Sequence, residues 1–567
     1  MNNKLNMRTF LNKIVVILMF VGLGMVSCSD FLKEDPRGRL TEDKAFTSKD
    51  DLNGSLYALN RQVLMATKGF INFTPWMQGD DLSTHPASNK APMREFDIMT
   101  VSDENTQLTL STGSWYWLWK VIKAANFCIN WGDNALDLGA TEDEVNFVKR
   151  QAYYWRAYAY FYLVRVWGPV PMVLDDDADL NAEVSKVSEI FDLIVADLKE
   201  AEKLPENYKD SPWAMNGINV AVSKGAAQAS LAYVYLYMAG WPLEYGANYY
   251  KLAADKALEV IDASENGTYY YKLYDEYRLI HSRQENWSNK EVLLAVYYSS
   301  ITGTGDDSQS ARGCINDVHD VSGGGYNDAC GDIYFYCLFP EGDRKEWTYA
   351  PVTYNDATDI SLPWWSAELN DNVRSPYSRK SAFTSWNYTD EYDHYKSFRS
   401  QSNGWSLQAH QVIRLAEVYC WYAEAVGRQG LVNARAVELL NRVRNRANGS
   451  ASATRDIYSA GMSANELAEA AYNEHGWEIA LWYWGSIAPR YSDMQRMNRV
   501  KDHYNRRRDD QLQDRKYIIP GSGGVELREL FGPVEPWTDE KMFVTYPSRD
   551  KEQMPNIANV DKLNLIK

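Results

Sequence analysis

One short stretch of this chain is written twice, and that repeat most constrains its fold. Leu231-Ala232-Tyr233-Val234-Tyr235-Leu236-Tyr237-Met238-Ala239 aligns with Leu415-Ala416-Glu417-Val418-Tyr419-Cys420-Trp421-Tyr422-Ala423 at Leu, Ala, Val, Tyr and the final Ala. Each copy runs into a turn, Gly240-Trp241-Pro242 in one and Gly427–Gly430 in the other, and then into a second amphipathic helix. Tyr250, Ala254, Ala257 and Ile261 share one face of the first such helix. Ala436, Leu440, Val443 and Ala447 repeat the same spacing of four, three and four in the second. These are helical hairpins of tetratricopeptide character. A single hairpin cannot bury its apolar faces alone, so the repeat implies stacking on neighbours, with one long surface left for a partner.

The remaining periodicity is mostly helical. A helical stretch around Leu52–Leu64 is expected within 41–66, with Thr41 as N-cap. Trp115–Cys128, Glu144–Trp167 (stopping at Gly168-Pro169) and Val187–Ala201 continue the pattern. Residues 265–410 break it, being rich in Gly, Ser, Asn, Asp, Tyr and Trp, with one strand expected at Glu291–Tyr298. Long loops in a compact chain usually carry function. The tail, 501–567, is charged and then punctuated by Gly and Pro. The fold class expected is mostly α, with helical hairpins and a loop-rich ligand-binding region.

The N-terminus reads as an export signal. Lys4, Arg8 and Lys13 precede an apolar run from Ile14 to Val26, too short to span a bilayer comfortably as a permanent helix. Met25-Val26-Ser27-Cys28 resembles a bacterial lipobox, which makes Cys28 the lipid-attachment residue and 1–27 a lipoprotein signal peptide. Residues 28–40 then form a polar, flexible tether. Cleavage would remove three cations and no acid from a chain whose net charge is already -17. That balance excludes the basic footprint of a nucleic-acid binder. Of the remaining cysteines, Cys128 and Cys420 sit in apolar helical runs as buried thiols, and one disulfide is open among Cys314, Cys330 and Cys337.

The aromatic content, 13% with 20 Trp and 39 Tyr, exceeds what packing needs, and flat amphipathic rings also serve as ligand platforms. Trp115, Trp119, Trp155, Trp421 and Trp482 fall in helical runs and are assigned to the core. Trp364-Trp365 after Pro363 are the foremost ligand-contact candidates, because adjacent loop tryptophans are hard to bury together. Trp76 with Asp80 and Asp81 is second, and Trp287, Tyr326 and Trp405 follow. A glycosidase would need a carboxylate pair at fixed separation, and nothing among the 76 acids singles one out. No GxSxG elbow or HExxH helix occurs. Asp317-Val318-His319-Asp320 offers too few ligands for zinc, and the runs Asp80-Asp81 and Asp175–Asp177 lack calcium-loop spacing. The glycines of 303–305 and 322–325 lack the strand-to-helix context of a phosphate cradle. No enzyme activity, metal or cofactor is expected.

Several segments then assemble in order into a family pattern. Gln411-Val412-Ile413-Arg414-Leu415-Ala416-Glu417-Val418-Tyr419, Tyr422-Ala423-Glu424-Ala425 and Asn441-Arg442-Val443-Arg444-Asn445-Arg446-Ala447 closely resemble the signature of RagB/SusD nutrient-binding lipoproteins. Trp115, Trp119, Ile122 and Asn126 resemble the family's W…Y…I…aN helix, with Trp at the Tyr position. Arg156-Ala157-Tyr158 through Arg165-Val166-Trp167-Gly168-Pro169-Val170-Pro171, Ser223–Ala227 and Gly342-Asp343-Arg344 resemble further family segments. Two signatures are eroded, to Asn473-Glu474-His475-Gly476-Trp477-Glu478 with Ser492-Asp493-Met494-Gln495-Arg496, and to Thr545-Tyr546-Pro547 with Pro555-Asn556.

The resemblance implies a SusD-like fold with an N-terminal helical part, 41–264, and a C-terminal part, 265–567. The latter holds the loop-rich insertion (265–410) and a helical hairpin (411–447). It also implies a lipid-anchored protein of the outer membrane, facing outside. Such a protein captures an oligosaccharide and passes it to a SusC-like TonB-dependent transporter. A peptide or glycopeptide ligand on the same fold stays open.

Overall fold

A computed structural model describes residues 46–86, 90–109, 113–175, 179–282, 285–298, 309–310, 328–355, 360–369, 374–380, 405–406, 409–481 and 486–567. Cys28, Thr41, Cys314, Tyr326, Trp482, the 317–320 acids and the glycines of 303–305 and 322–325 lie outside these residues.

Ten of the described helices reach 14 residues or more. They are α1 (Asp50–Ala66), α2 (Ser114–Trp131), α3 (Glu142–Trp167), α4 (Val187–Ala201), α5 (Lys224–Ala239), α6 (Ala247–Glu265), α7 (Leu415–Arg428), α8 (Ala434–Ala447), α9 (Ala464–Ile479) and α10 (Val500–Gln513). The first nine stack in nearly continuous succession. α1 packs on α2, α2 on α3, α3 on α4, α4 on α5, α5 on α6, α6 on α7, and α7 on both α8 and α9. The two repeated hairpins, α5–α6 and α7–α8, are therefore neighbours through α6 and α7. Every residue of α5 from Gly225 to Ala239 is buried, as expected of a helix apolar all round.

Local chemistry sets the helix ends. The side chains of Thr141 and Glu144 cap each other's backbone N–H groups at the start of α3. α3 ends at Gly168, where φ is +77° and a Cβ would meet the Phe543 ring at 2.9 Å, so only glycine fits. α1 begins with the Asp51 carboxylate accepting from the backbone N–H groups of Thr47 and Ser48, at 2.7 and 2.8 Å. Arg156 on α3 clips three helices together. It donates to both oxygens of Asp197 on α4 (2.8 Å each) and to Asn126 on α2 (2.9 Å). Two residues of the family pattern, Arg156 and Asn126, thereby hold the stack.

Strands are short and pair only in twos among the described residues. β1 (Leu82–Thr84) pairs antiparallel with β3 (Ala329–Gly331), and β2 (Val292–Val296) pairs antiparallel with β6 (His410–Arg414). β4 (Val352–Asn355) and β5 (Ile360–Pro363) form a hairpin. The chain leaves the helical stack after α6 and returns to it through β6 into α7. Among the described residues no helix is long and apolar enough to cross a membrane.

Candidate functional site

Two of the expected ligand contacts prove to be core residues. Trp364 is 0% exposed, because Pro363 ends β5 and turns the following side chain under Tyr336, whose ring lies edge-on at 5.1 Å. Trp365 alone of the pair remains half-buried, set at 85° to Trp364. The two tryptophans are not buried together, but Trp364 is the one taken into the core, which removes it as a ligand contact. Trp76 lies in a short 3-10 turn and is 5% exposed, with its ring 4.5 Å from Tyr162 and the Arg165 guanidinium 4.9 Å from its centre.

The acids beside Trp76 are likewise committed to structure. Asp80 accepts two bonds from Arg490, at 2.8 and 2.7 Å. Asp81 is buried and accepts from the Leu481 N–H at 2.9 Å. Burial, with Asp80 alongside, pushes the Asp81 carboxyl up to about 7. Asp81 presents no surface to a sugar hydroxyl, whereas Asp80, held by Arg490, keeps its side chain 24% exposed.

Trp287 keeps a surface. It is half-buried and stacks on Tyr297 just past β2, with centroids 5.0 Å apart and planes 24° off parallel. The Asn216 amide donates to the Trp287 carbonyl at 3.0 Å and fixes this segment. Trp405 lies in a two-residue strand paired with Gln309–Ser310. Cys330 and Cys337 are both free thiols, so no disulfide joins them, and Cys128 and Cys420 are buried thiols. Trp115, Trp155 and Trp421 are buried, whereas Trp119 is only partly so.

The family-like motifs converge on a buried charge cluster. Glu478 on α9 accepts from Arg344 (3.1 Å), Arg414 (2.7 Å) and Arg446 (2.7 Å). Arg344 also donates to Glu474 at 2.6 Å, and Arg446 to Glu291. Burial works to raise the Glu478 pKa, but Arg446, Arg414 and Arg344 outweigh it and hold the carboxyl well below its usual range. His475 sits one helical turn before, its Nδ1 2.6 Å from Asp493 and its Nε2 3.4 Å from Glu417. Burial disfavours the imidazolium, yet the two carboxylates prevail and its pKa rises to about 9. All of these groups are solvent-shielded. They join β6, α7, α8 and α9 and offer no open position for a substrate. Among the described residues no group of three His, Cys, Asp or Glu side chains is placed to hold a metal.

A cleft of about 330 Å³ opens elsewhere, between α2, residues 171–175 with 179–180, and the C-terminal 547–557 segment. Asn126 on α2 donates to the carbonyls of Val173 and Asp175 (2.9 Å each), anchoring one wall. Trp115 Nε1 donates to Asp550 at 2.5 Å, anchoring the other. Trp119, Tyr116 and Ile122 line the α2 side. Helix periodicity placed Trp115 and Trp119 in the core, and only the distant C-terminal segment reveals that they also bound a cavity.

Sequence comparison bears on what this architecture is. Residues 33–236 match a family described as "Starch-binding associating with outer membrane", and residues 290–517 match the SusD family. The chain belongs to the RagB/SusD family. It is similar to the SusD-like protein P2 of Formosa agariphila, 26% identical over 83% of this chain and 89% of that one. It also resembles a SusD-like protein of Bacteroides ovatus, 24% identical over 97% and 98% of the two chains. Solved SusD-fold structures superpose over 90% of this chain and 98% of theirs. One, crystallised with a xylogluco-oligosaccharide, gives a TM-score of 0.66 at 20% identity. Another, a laminarin-binding SusD-like protein, gives 0.62 at 19%. The mostly helical SusD fold expected from the sequence is the fold observed.

Proposed function

We propose that this RagB/SusD protein captures an oligosaccharide at the cell surface and delivers it to a SusC-like TonB-dependent transporter, tethered to the outer membrane through lipid on Cys28. The observation that carries the binding half is the stacked, half-exposed Trp287–Tyr297 pair, which bears on a sugar because a rigid aromatic plate accepts the C–H face of a pyranose ring. Two relatives on the same fold are named for glycans they hold, which supports this ligand class. Trp365 adds a second half-exposed ring, and Trp405 and Tyr326 are kept as further candidates on the loop-rich insertion. The reading requires binding without bond cleavage.

The test is affinity electrophoresis against xyloglucan, laminarin and other soluble polysaccharides, with peptides as a competing panel. Retention by one glycan, weakened about tenfold by Trp287→Ala, is the expected result, corresponding to roughly 1.4 kcal/mol of stacking. Retention by peptides alone would overturn the sugar reading. New reducing ends on incubation with the retained glycan would overturn the binding-only reading.

A further inference from the structure

We infer that Glu529 is a proton-held clasp. With its carboxyl neutral it fastens the helix Ile333–Leu338, part of the inserted segment, to the chain that follows α10, and ionisation loosens that grip.

The arrangement of charges carries the inference. Asp332 and Glu529 are both buried, 0% and 7% exposed, and both serve the first turn of the same helix. Asp332 accepts from the Phe335 N–H at 2.7 Å. Glu529, just past the short strand Glu526–Leu527, accepts from the Ile333 N–H, a bond that joins residues 196 apart in sequence. The cations around them are already taken. Arg506 pairs with Asp332 at 3.1 Å and with Asp510 at 3.0 Å. Arg507 pairs with Asp97 at 2.6 Å, and Arg515 with Asp510 at 3.2 Å. Four carboxyl groups (Asp97, Asp332, Asp510 and Glu529) thus share three arginines. Glu529 is the member of the four that forms no ion pair among the described residues. An unpaired carboxylate buried beside another is the costly arrangement, and a retained proton relieves it. Burial, with the Asp332 charge alongside, outweighs Arg507, the Ile333 N–H and Arg506 and pushes the Glu529 carboxyl up to about 8.

The other groups nearby are accounted for. Burial pushes the Cys330 and Cys337 thiols up, so both stay protonated. His503 takes an Arg506 N–H on Nδ1 at 3.4 Å, which only a neutral ring can do. Tyr517 donates to Asp510 at 2.5 Å, Lys345 pairs with Glu341 at 2.6 Å and Arg528 with Asp514 at 2.6 Å. Asp81, whose carbonyl accepts the Asp332 N–H at 3.2 Å, is the one other carboxyl here raised toward neutrality.

When the clasp opens, Glu529 meets water and its pKa returns to the ordinary value of about 4.3. Its hold is therefore complete below about pH 4.3 and is lost as pH rises through 8. One proton released on opening makes the open state up to about tenfold more frequent per pH unit across that window. The same helix sets Tyr336 against Trp364, so loosening reaches the packing beneath Trp365.

The test is hydrogen exchange on the full chain, read by mass spectrometry in peptides covering residues 329–340. It runs from about pH 5.5 to 8.5, corrected for the intrinsic rise of exchange with pH, with peptides from α4 as the reference. Opening in the wild type should rise roughly tenfold or more across the range. Glu529→Gln keeps an acceptor for Ile333 and cannot ionise, so its rise should stay below about threefold. Asp332→Asn removes the charge facing Glu529, so its rise should level off at a lower pH. Asp81→Asn should leave the rise in place. A flat wild type, a rise above threefold in Glu529→Gln, or a rise abolished by Asp81→Asn alone overturns the inference. Should Glu529→Gln fail to fold, Asp332→Asn decides, and an unmoved levelling point overturns it.

Discussion

Replacing Glu478 with Gln removes one negative charge from the centre of the buried cluster while keeping its shape. The structure says which partner suffers most. Arg344 retains Glu474 at 2.6 Å, and Arg446 retains Glu291. Arg414 keeps its bond to the Glu478 backbone carbonyl at 3.1 Å, but its nearest remaining carboxylates are Glu291 at 3.6 Å and Glu417 at 3.9 Å. One guanidinium therefore loses its only close carboxylate in the interior. Breaking a buried pair from one side costs about 3–5 kcal/mol, a large share of the roughly 5–15 kcal/mol that typically holds a domain folded. The assay is urea unfolding followed in parallel by tryptophan fluorescence and circular dichroism, since coincident transitions license a single free energy. Adding Arg414→Met to Glu478→Gln should recover about 1–3 kcal/mol, because it deletes the stranded charge. Adding Arg344→Met should recover less, because it takes from Glu474 its closest cation and leaves it Arg444 at 3.5 Å and the Tyr458 hydroxyl at 2.5 Å. A loss below about 1 kcal/mol, or equal recovery from the two arginine changes, would refute the picture of a cluster balanced at Glu478.

Trp364→Ala should destabilise the chain by about 3–5 kcal/mol in the same urea assay, whereas Trp365→Ala should cost less than half as much. His475 gives a pH signature. Its folded pKa, about 9, lies above the ordinary imidazole value of about 6.5, so its contribution is complete below about pH 6.5 and lost as pH climbs through 9. Melting temperatures measured across that window should fall in the wild type and fall less in His475→Gln. Gly168→Ala should destabilise the end of α3, since a side chain there meets both an unfavourable φ and the Phe543 ring, and loss of thermal stability is the readout. Cys28→Ala should move the protein from the membrane to the soluble fraction with its glycan retention unchanged, as measured by fractionation and affinity electrophoresis.

What could be read from sequence follows from what is local. α4 begins and ends at the residues its periodicity marks, and α3 stops at Gly168, because capping and glycine geometry act within a few residues. The strand expected at Glu291–Tyr298 is present as Val292–Val296. Trp364 was misplaced because its burial depends on Tyr336 and on the turn of one residue after Pro363, which no spacing rule encodes. The cleft was invisible for a similar reason. Its decisive contact, Trp115 to Asp550, joins residues 435 apart in sequence. The charge cluster was half legible. Arg344, Arg414, Arg446 and Glu478 all stand in motifs, but Glu291 does not, and the three arginines meet Glu478 only when β6, α7, α8 and α9 are assembled.

The pairing of β2 with β6 has a consequence for how this scaffold can change. The two strands close the neck of everything between 297 and 409, and the helical stack resumes immediately after Arg414. A segment pinned at its base can be lengthened cheaply, since doubling a closed loop adds only about 0.6 kcal/mol of entropy cost. That is small beside the roughly 3–5 kcal/mol lost when one side of a buried ion pair is removed, and Arg344, inside the segment, belongs to such a cluster. Descendants of this chain could therefore lengthen the stretches between the fixed points β3, Arg344 and Trp364 without renegotiating the helices beneath.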